Sequence, residues 1–282
     1  TSLITQRYMS GNQEKLQGSM EKLSSGYRIN KSADDAAGLA VSGSMNAKIR
    51  GLNVARRNAN DAISMIQVAE GSMNEMSNIT VRMRELTVQA ASDTIGDTER
   101  GYLNREYVQL VDEFDRIAKT TEFNGTMLFD SGDQTEYVIQ VGTNGSAPDE
   151  NLDTIRVDLE GIQFSSESIG LGKGSEIGPS ETGGSGPTRN EIAEKLSTID
   201  DALTRIASER ATLGAVQSRM GSSINNLSIN IENLDTARSR IMDVDFASET
   251  ANLTQSRILV AASASVLGQA NSAPEVALQL LR

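Results

Sequence analysis

Every proline of this 282-residue chain stands at position 148, 179, 187 or 274, so residues 1–147 and 188–273 contain none. Proline breaks a helix interior because it lacks the N–H donor and its ring clashes with the preceding turn. Two long stretches without it are therefore free to run as helix, and their apolar residues recur at three- and four-residue spacing. Ile63, Ile66, Met73, Met76, Ile79, Met83 and Leu86 keep that rhythm, and Leu103, Tyr107, Leu110, Phe114, Ile117 and Thr121 alternate four and three as a heptad seam. The far arm repeats it in Ile192, Leu196, Ile199, Leu203, Ile206, Leu213, Val216, Met220, Ile224, Leu227, Ile231 and Leu234. Such stripes on three segments predict helices packed on one another, and one chain folding back is enough to bring them together.

The ends carry stripes with nothing left in the chain to cover them. Thr1 opens inside an amphipathic pattern (Leu3, Ile4, Arg7, Tyr8), and the stretch from Leu253 remains apolar through Leu278, Leu280 and Leu281. Each end needs the other, or another molecule. That places function in assembly rather than in a pocket. The start in mid-pattern predicts that a few residues precede Thr1, and no secretory leader pattern is visible.

Composition narrows the classes further. The chain has no Cys, hence no disulfide framework or thiolate nucleophile, and no His, the most versatile general base and commonest metal ligand. Catalysis and cofactors are accordingly not expected. Residues 122–187 hold two basic and twelve acidic side chains, while residues 1–41 and 251–282 each carry only +1. An acidic middle facing water and near-neutral ends packed away is the expected arrangement. No basic patch with interleaved aromatics points to nucleic acid, and no run of 18 apolar residues predicts a membrane span.

Local signals place the boundaries. Ser32-Ala33-Asp34-Asp35 has the form of a capping box and predicts a helix opening near Asp35. Ser92 to Asp97 reads as a turn with a fresh N-cap, and Asn124-Gly125 closes the unit. Tyr137–Val141 and Thr154–Leu159 read as a β-hairpin with a long loop. The eight glycines of residues 161–187 predict loop or linker, unable to build a core of its own. The expected fold is mainly α: a long antiparallel helical bundle or coiled coil formed by both chain ends, a small β-hairpin region in the middle, and no large outer domains.

Several stretches then carry a resemblance. Leu23-Ser-Ser-Gly-Tyr-Arg-Ile-Asn30, Asp34-Asp35-Ala-Ala-Gly-Leu-Ala-Val41, Arg57-Asn-Ala-Asn-Asp-Ala-Ile-Ser64, Met83-Arg-Glu-Leu-Thr-Val-Gln89, Asp115-Arg-Ile117 and Glu122-Phe-Asn-Gly125 resemble the N-terminal region of bacterial flagellins. Ile241-Met-Asp-Val-Asp-Phe-Ala247 and Ala277-Leu-Gln-Leu-Leu-Arg282 resemble their C-terminus. The resemblance implies a structural, non-enzymatic subunit that polymerises into the flagellar filament, the propeller of motility. It divides the chain into an N-terminal inner-core helix (1–34), an N-terminal bundle arm (35–125), a β-hairpin with Gly/Ser-rich loop (126–187), a C-terminal bundle helix (188–242) and a C-terminal inner-core helix (243–282). Self-assembly is assigned to the terminal helices through Leu3, Ile4, Leu23, Leu253, Val260, Leu267, Leu278 and Leu281. With so short a middle, a smooth and thin filament is expected.

The same resemblance implies partners: further copies of the chain, the flagellar export apparatus, a secretion chaperone, the filament cap and hook-associated proteins. It implies secretion to an extracellular filament, or a periplasmic one in a spirochaete. It also offers Arg82, Leu86, Gln89 and Glu106 as candidate contacts for a Toll-like receptor of innate immunity, although Arg82 beside Glu85 and Gln89 equally reads as salt bridging or lateral packing. Two rivals remain at this level. One is a hook–filament junction protein, which shares the terminal helical design; the other is a free coiled-coil adaptor or adhesin.

Overall fold

The computed structural model describes residues 2–129, 136–144, 152–159, 161, 164–172, 176–179 and 187–280, with side chains as far as 272. Five helices dominate: α1 (Ser2–Ser25), α2 (Ala36–Ala90), α3 (Asp97–Thr120), α4 (Arg189–Met242) and α5 (Phe246–Leu280). Between α3 and α4 lie two antiparallel hairpins, β1 (Glu122–Phe123) with β2 (Thr126–Met127), and β3 (Glu136–Gln140) with β4 (Thr154–Asp158). The chain divides into two compact units, one of residues 1–50 and 229–282, the other of residues 51–228.

In the second unit the expected stripes become the core. Ile66, Met73, Met76, Met83 and Leu86 from α2 meet Tyr107 and Phe114 from α3 and Ile192, Ile199, Ile206, Leu213 and Met220 from α4, all buried. Ion pairs fix the directions. Arg84–Asp200 (2.6 Å) and Arg210–Glu70 (3.9 Å) run α4 antiparallel to α2, and Arg82–Glu106 (2.8 Å) with Thr121 Oγ1 on Ser72 Oγ (3.1 Å) does the same for α3. Two hydroxyls within this core are satisfied locally: Thr80 and Thr87 donate to the Met76 and Met83 carbonyls, each at 2.7 Å. A buried hydroxyl bonded back one turn avoids the desolvation cost of an unpaired one.

Three details differ from expectation. The helix expected near Asp35 does open at Ala36, but its cap is Asp35 itself and not a Ser32 box, with Asp35 Oδ1 accepting the Gly38 N–H at 2.8 Å. Asp34 serves the preceding turn, accepting the N–H groups of Asn30 (3.0 Å) and Lys31 (2.9 Å). The cap of α3 is Gly96, which makes no side-chain cap bond, so the fresh N-cap is a backbone one. Finally, the glycine-rich stretch after β4 is more than linker: Phe164, Ile169, Leu171 and Ile177 are buried in the bundle core. Its apolar residues are too sparse for their own core, but they complete one that the helices leave open.

The β3–β4 hairpin forms over the expected runs, pairing Tyr137 with Val157 and Ile139 with Ile155. Val157 and Ile155 are buried, as the alternation requires. Asn124-Gly125 does more than end α3. Both residues adopt positive φ (52° and 78°), turning the chain into the β1–β2 hairpin. Asn-Gly is the pair that accepts those angles at least cost.

Candidate self-assembly surface

In the first unit, α1 and α5 lie side by side and antiparallel: Ser2 Oγ bonds Asn271 Oδ1 at 2.9 Å at one end, and Tyr27 bridges Asp243 at the other. The more covered positions of α1 are Ser2, Thr5, Met9, Asn12, Leu16, Ser19 and Leu23, a heptad alternation of three and four. On α5 the matching row is Leu253, Ser256, Val260, Ser263, Leu267 and Ala270. In this seam aliphatic residues alternate with small or polar ones. Among described residues of the two helices only Ser19 and Ser256 are buried.

The large apolar side chains point elsewhere. Leu3 is 81% exposed, Tyr8 69% and Ile258 63%, and Ile4, Met20, Phe246, Leu259 and Val266 are exposed as well. Of the assembly residues read from sequence, Leu3 and Ile4 therefore face outward. Leu23, Leu253, Val260 and Leu267 are half-buried in the seam. The Leu278 side chain and the whole of Leu281 lie outside the described residues. The small residues that let the helices approach, Ser19 and Ser256, were not legible as a seam, because an apolar-period search does not register them.

In the second unit, Arg82 stands between two helices. Its Nε and Nη2 reach Glu106 Oε1 at 2.8 Å, and its Nη1 reaches Glu85 Oε2 at 2.8 Å. Hydrogen bonds from Glu85 first, then Glu106, raise the guanidinium pKa above its ordinary value, so it stays charged. Arg84 grips Asp200 with two nitrogens (2.6 and 3.4 Å), and those bonds hold the Asp200 carboxyl below its usual range. Gln89 is exposed on the same helix, whereas Leu86 is 1% exposed within the core. Of the four residues read as receptor contacts, the fold thus presents Arg82, Gln89 and Glu106 at the surface and withdraws Leu86. Burial is the physical reason: Leu86 belongs to the inward stripe of α2.

Among the described residues no carboxylate cluster is placed to hold a metal ion, and no described helix is long and apolar enough to cross a membrane. Comparison with known proteins completes the picture. Residues 1–134 match the family model for the bacterial flagellin N-terminal helical region, and residues 196–281 the one for the C-terminal helical region. A flagellin of Halalkalibacterium halodurans is 42% identical over 278 residues, spanning 98% of this chain and 95% of that protein. A flagellin of Bacillus subtilis is 40% identical over 296 residues, spanning 100% and 97%. The solved structure of a putative flagellar hook-associated protein from Vibrio parahaemolyticus superposes with a TM-score of 0.59 over 74% of this chain and 100% of its own, at 14% identity, a likeness of fold alone. Both arms match their family models, and full-length relatives share two residues in five: the chain belongs to the flagellin family and is a structural subunit of the bacterial flagellar filament.

Proposed function

We propose that the α1–α5 pair is the element through which copies of this chain assemble, forming the inner core of the filament, with the second unit carried outside it. The observation that supports this reading is the division of faces: a narrow seam of alternating aliphatic and small or polar residues holds the pair together while eight large apolar side chains point outward. Covering one such side chain is worth about 1.5–3 kcal/mol, so partial covering of the set contributes on the order of 10 kcal/mol per subunit. That is comparable with the ~4–15 kcal/mol lost when a free molecule is immobilised. Neighbours in a helical lattice can supply such cover on several sides.

The same exposed apolar ends suit capture by a secretion chaperone before export, and a chain without Cys can pass unfolded through the flagellar export apparatus without forming disulfides. At the filament ends the subunit would meet the cap and hook-associated proteins. The filament would stand outside the cell, or in the periplasm of a spirochaete, smooth and thin because no large outer domain interrupts the middle. Nothing in this role calls for catalysis, and the absence of His and Cys fits a purely structural part.

A second surface, Arg82 with Gln89 and Glu106, is the candidate contact for an innate immune receptor, with Leu86 supporting it from beneath. Arg82→Ala is expected to lower receptor signalling by the soluble chain at least severalfold; unchanged signalling would remove this surface from the proposal. Assembly itself is tested by adding seeds to the purified chain and viewing it by electron microscopy. Long helical tubes with a central channel are expected. Persistently soluble chain, or a stable helical dimer, would favour the free coiled-coil reading instead.

A further inference from the structure

We propose that residues 26–28 and 241–244 form a clasp that fixes the register in which the two terminal helices pair, an inference that rests on the assembly reading above. Gly26 ends α1 in the left-handed region (φ 77°), its N–H returning to the Lys22 carbonyl at 2.9 Å. That conformation is cheap for glycine and strained for an L side chain. The chain then runs antiparallel to the entry of α5. Arg28 N–H donates to the Met242 carbonyl at 2.6 Å, Val244 N–H donates to the Gly26 carbonyl at 3.0 Å, and Tyr27 bridges Asp243 between them. Arg28 adds its guanidinium, Nη2 donating to the Ile241 carbonyl at 2.8 Å.

Both flanks are pinned. Asn30 Nδ2 donates to the Tyr27 carbonyl at 3.2 Å, and Asp34 accepts the Asn30 and Lys31 N–H groups. On the other strand, Ser239 Oγ donates to Asp243 Oδ2 at 2.5 Å, and Asp245 caps α5 through the Ala247 and Ser248 N–H groups at 3.0 and 3.3 Å. The clasp therefore joins the residues just after α1 to those just before α5 through backbone atoms, whose pairing fixes one alignment.

The helices themselves are poor at choosing a register. Aliphatic positions (Met9, Leu16, Leu23 and Leu253, Val260, Leu267) recur every seven residues with small or polar ones between them, so a slip of one heptad restores nearly the same packing. Outward from Tyr27–Asp243 the observed register persists: twenty-five residues along one strand to Ser2 correspond to twenty-eight along the other to Asn271, a mismatch of less than one turn. Since register decides which apolar side chains lie level on the outer face, the clasp would set the surface that neighbouring copies meet.

The test uses the full chain, which lacks Cys, so that Ser2→Cys with Asn271→Cys introduces the only thiols. Both are spin-labelled, diluted into unlabelled chain, and their separation is read by electron–electron double resonance in soluble and in seeded samples. The parent pair is expected to give one narrow distance. Arg28→Ala, and separately Gly26→Val, are expected to split or broaden it by the rise of one heptad, ~10 Å. Circular dichroism confirms that each variant retains its helices; Arg28→Ala, which removes only one side chain, keeps the test valid if Gly26→Val does not fold. An unchanged narrow distance in both variants, or a broad one in the parent, overturns the clasp. Failure of the parent to grow filaments in microscopy counts against the assembly reading instead, and the soluble sample still decides the clasp.

Discussion

The amide of Ile177 donates to Asn104 Oδ1 at 2.9 Å, and its side chain is fully buried against the helices. Gly178 follows with its α-carbon so close to the Arg100 carbonyl that a methyl group there would overlap it. Lys195 Nζ donates to the Glu176 carbonyl, and Asp115 accepts both the N–H (2.7 Å) and the hydroxyl (2.8 Å) of Ser166. Ile177→Ala is therefore expected to destabilise the soluble chain by about 2–4 kcal/mol, the usual cost of truncating a core aliphatic residue. Chemical denaturation measures it, and a change within ~0.5 kcal/mol would assign this loop to the surface. Glu191 gives a pH-dependent case. It forms a capping box with Thr188, accepting its N–H at 2.6 Å and its hydroxyl at 3.0 Å, and these bonds, the backbone one foremost, lower its pKa from the ordinary 4.5. A depressed carboxyl contributes stability that is complete above the unfolded value and is lost as pH falls through the folded one. Amide exchange at the start of α4 should accordingly accelerate below about pH 4.5, and Glu191→Gln should flatten that response. The Thr-x-x-Glu pattern of this box stands in the sequence before an apolar run, but it is not among the helix starts read there. Ser32–Asp35 has a similar pattern without the geometry, because Asp35 itself caps the helix there.

Among the elements, the long helices were legible because a buried stripe imposes its period on the sequence over many turns. Met73, Met76, Met83 and Leu86 are all essentially inaccessible. The α1–α5 seam was only half legible. Leu23, Leu253, Val260 and Leu267 lie in it, but its small and polar positions carry no apolar period, and Leu3, Ile4 and Tyr8 mark the free face instead. The loop after β4 was missed because four apolar plugs spread over a glycine-rich stretch have no period. The four candidate receptor residues came from the resemblance; helical spacing set Arg82 only beside Glu85 and Gln89, and the apolar stripe already counted Leu86 among the residues expected to pack inward. At this scale the division of faces makes a sharp prediction. Ile258→Asp should leave the helicity of the soluble chain unchanged, since the residue is 63% exposed, yet reduce elongation on seeds at least tenfold. Normal elongation would show that this face is not used between copies.

For the whole molecule, chemistry follows from what the chain leaves uncovered. The second unit buries a large core among its own helices, hairpins and loop, whereas the α1–α5 pair leaves eight large apolar side chains exposed beside its narrow seam. Covering them between copies would add stabilisation that the single chain lacks. Acid that protonates Asp34 removes a carboxylate held below 3.8 chiefly by the Lys31 amide, and weakens the turn beside α1. Amide exchange at Asn30 and Lys31 is thus expected to accelerate as pH falls below about 3.8 and to stay slow above it. The most direct measurement is a helical reconstruction of the seeded filament at side-chain detail. The account predicts α1 and α5 innermost around a central channel, with Leu3, Tyr8, Ile258 and Val266 buried between neighbouring copies. A filament held together by the second unit alone, with those four residues still facing solvent, would contradict it.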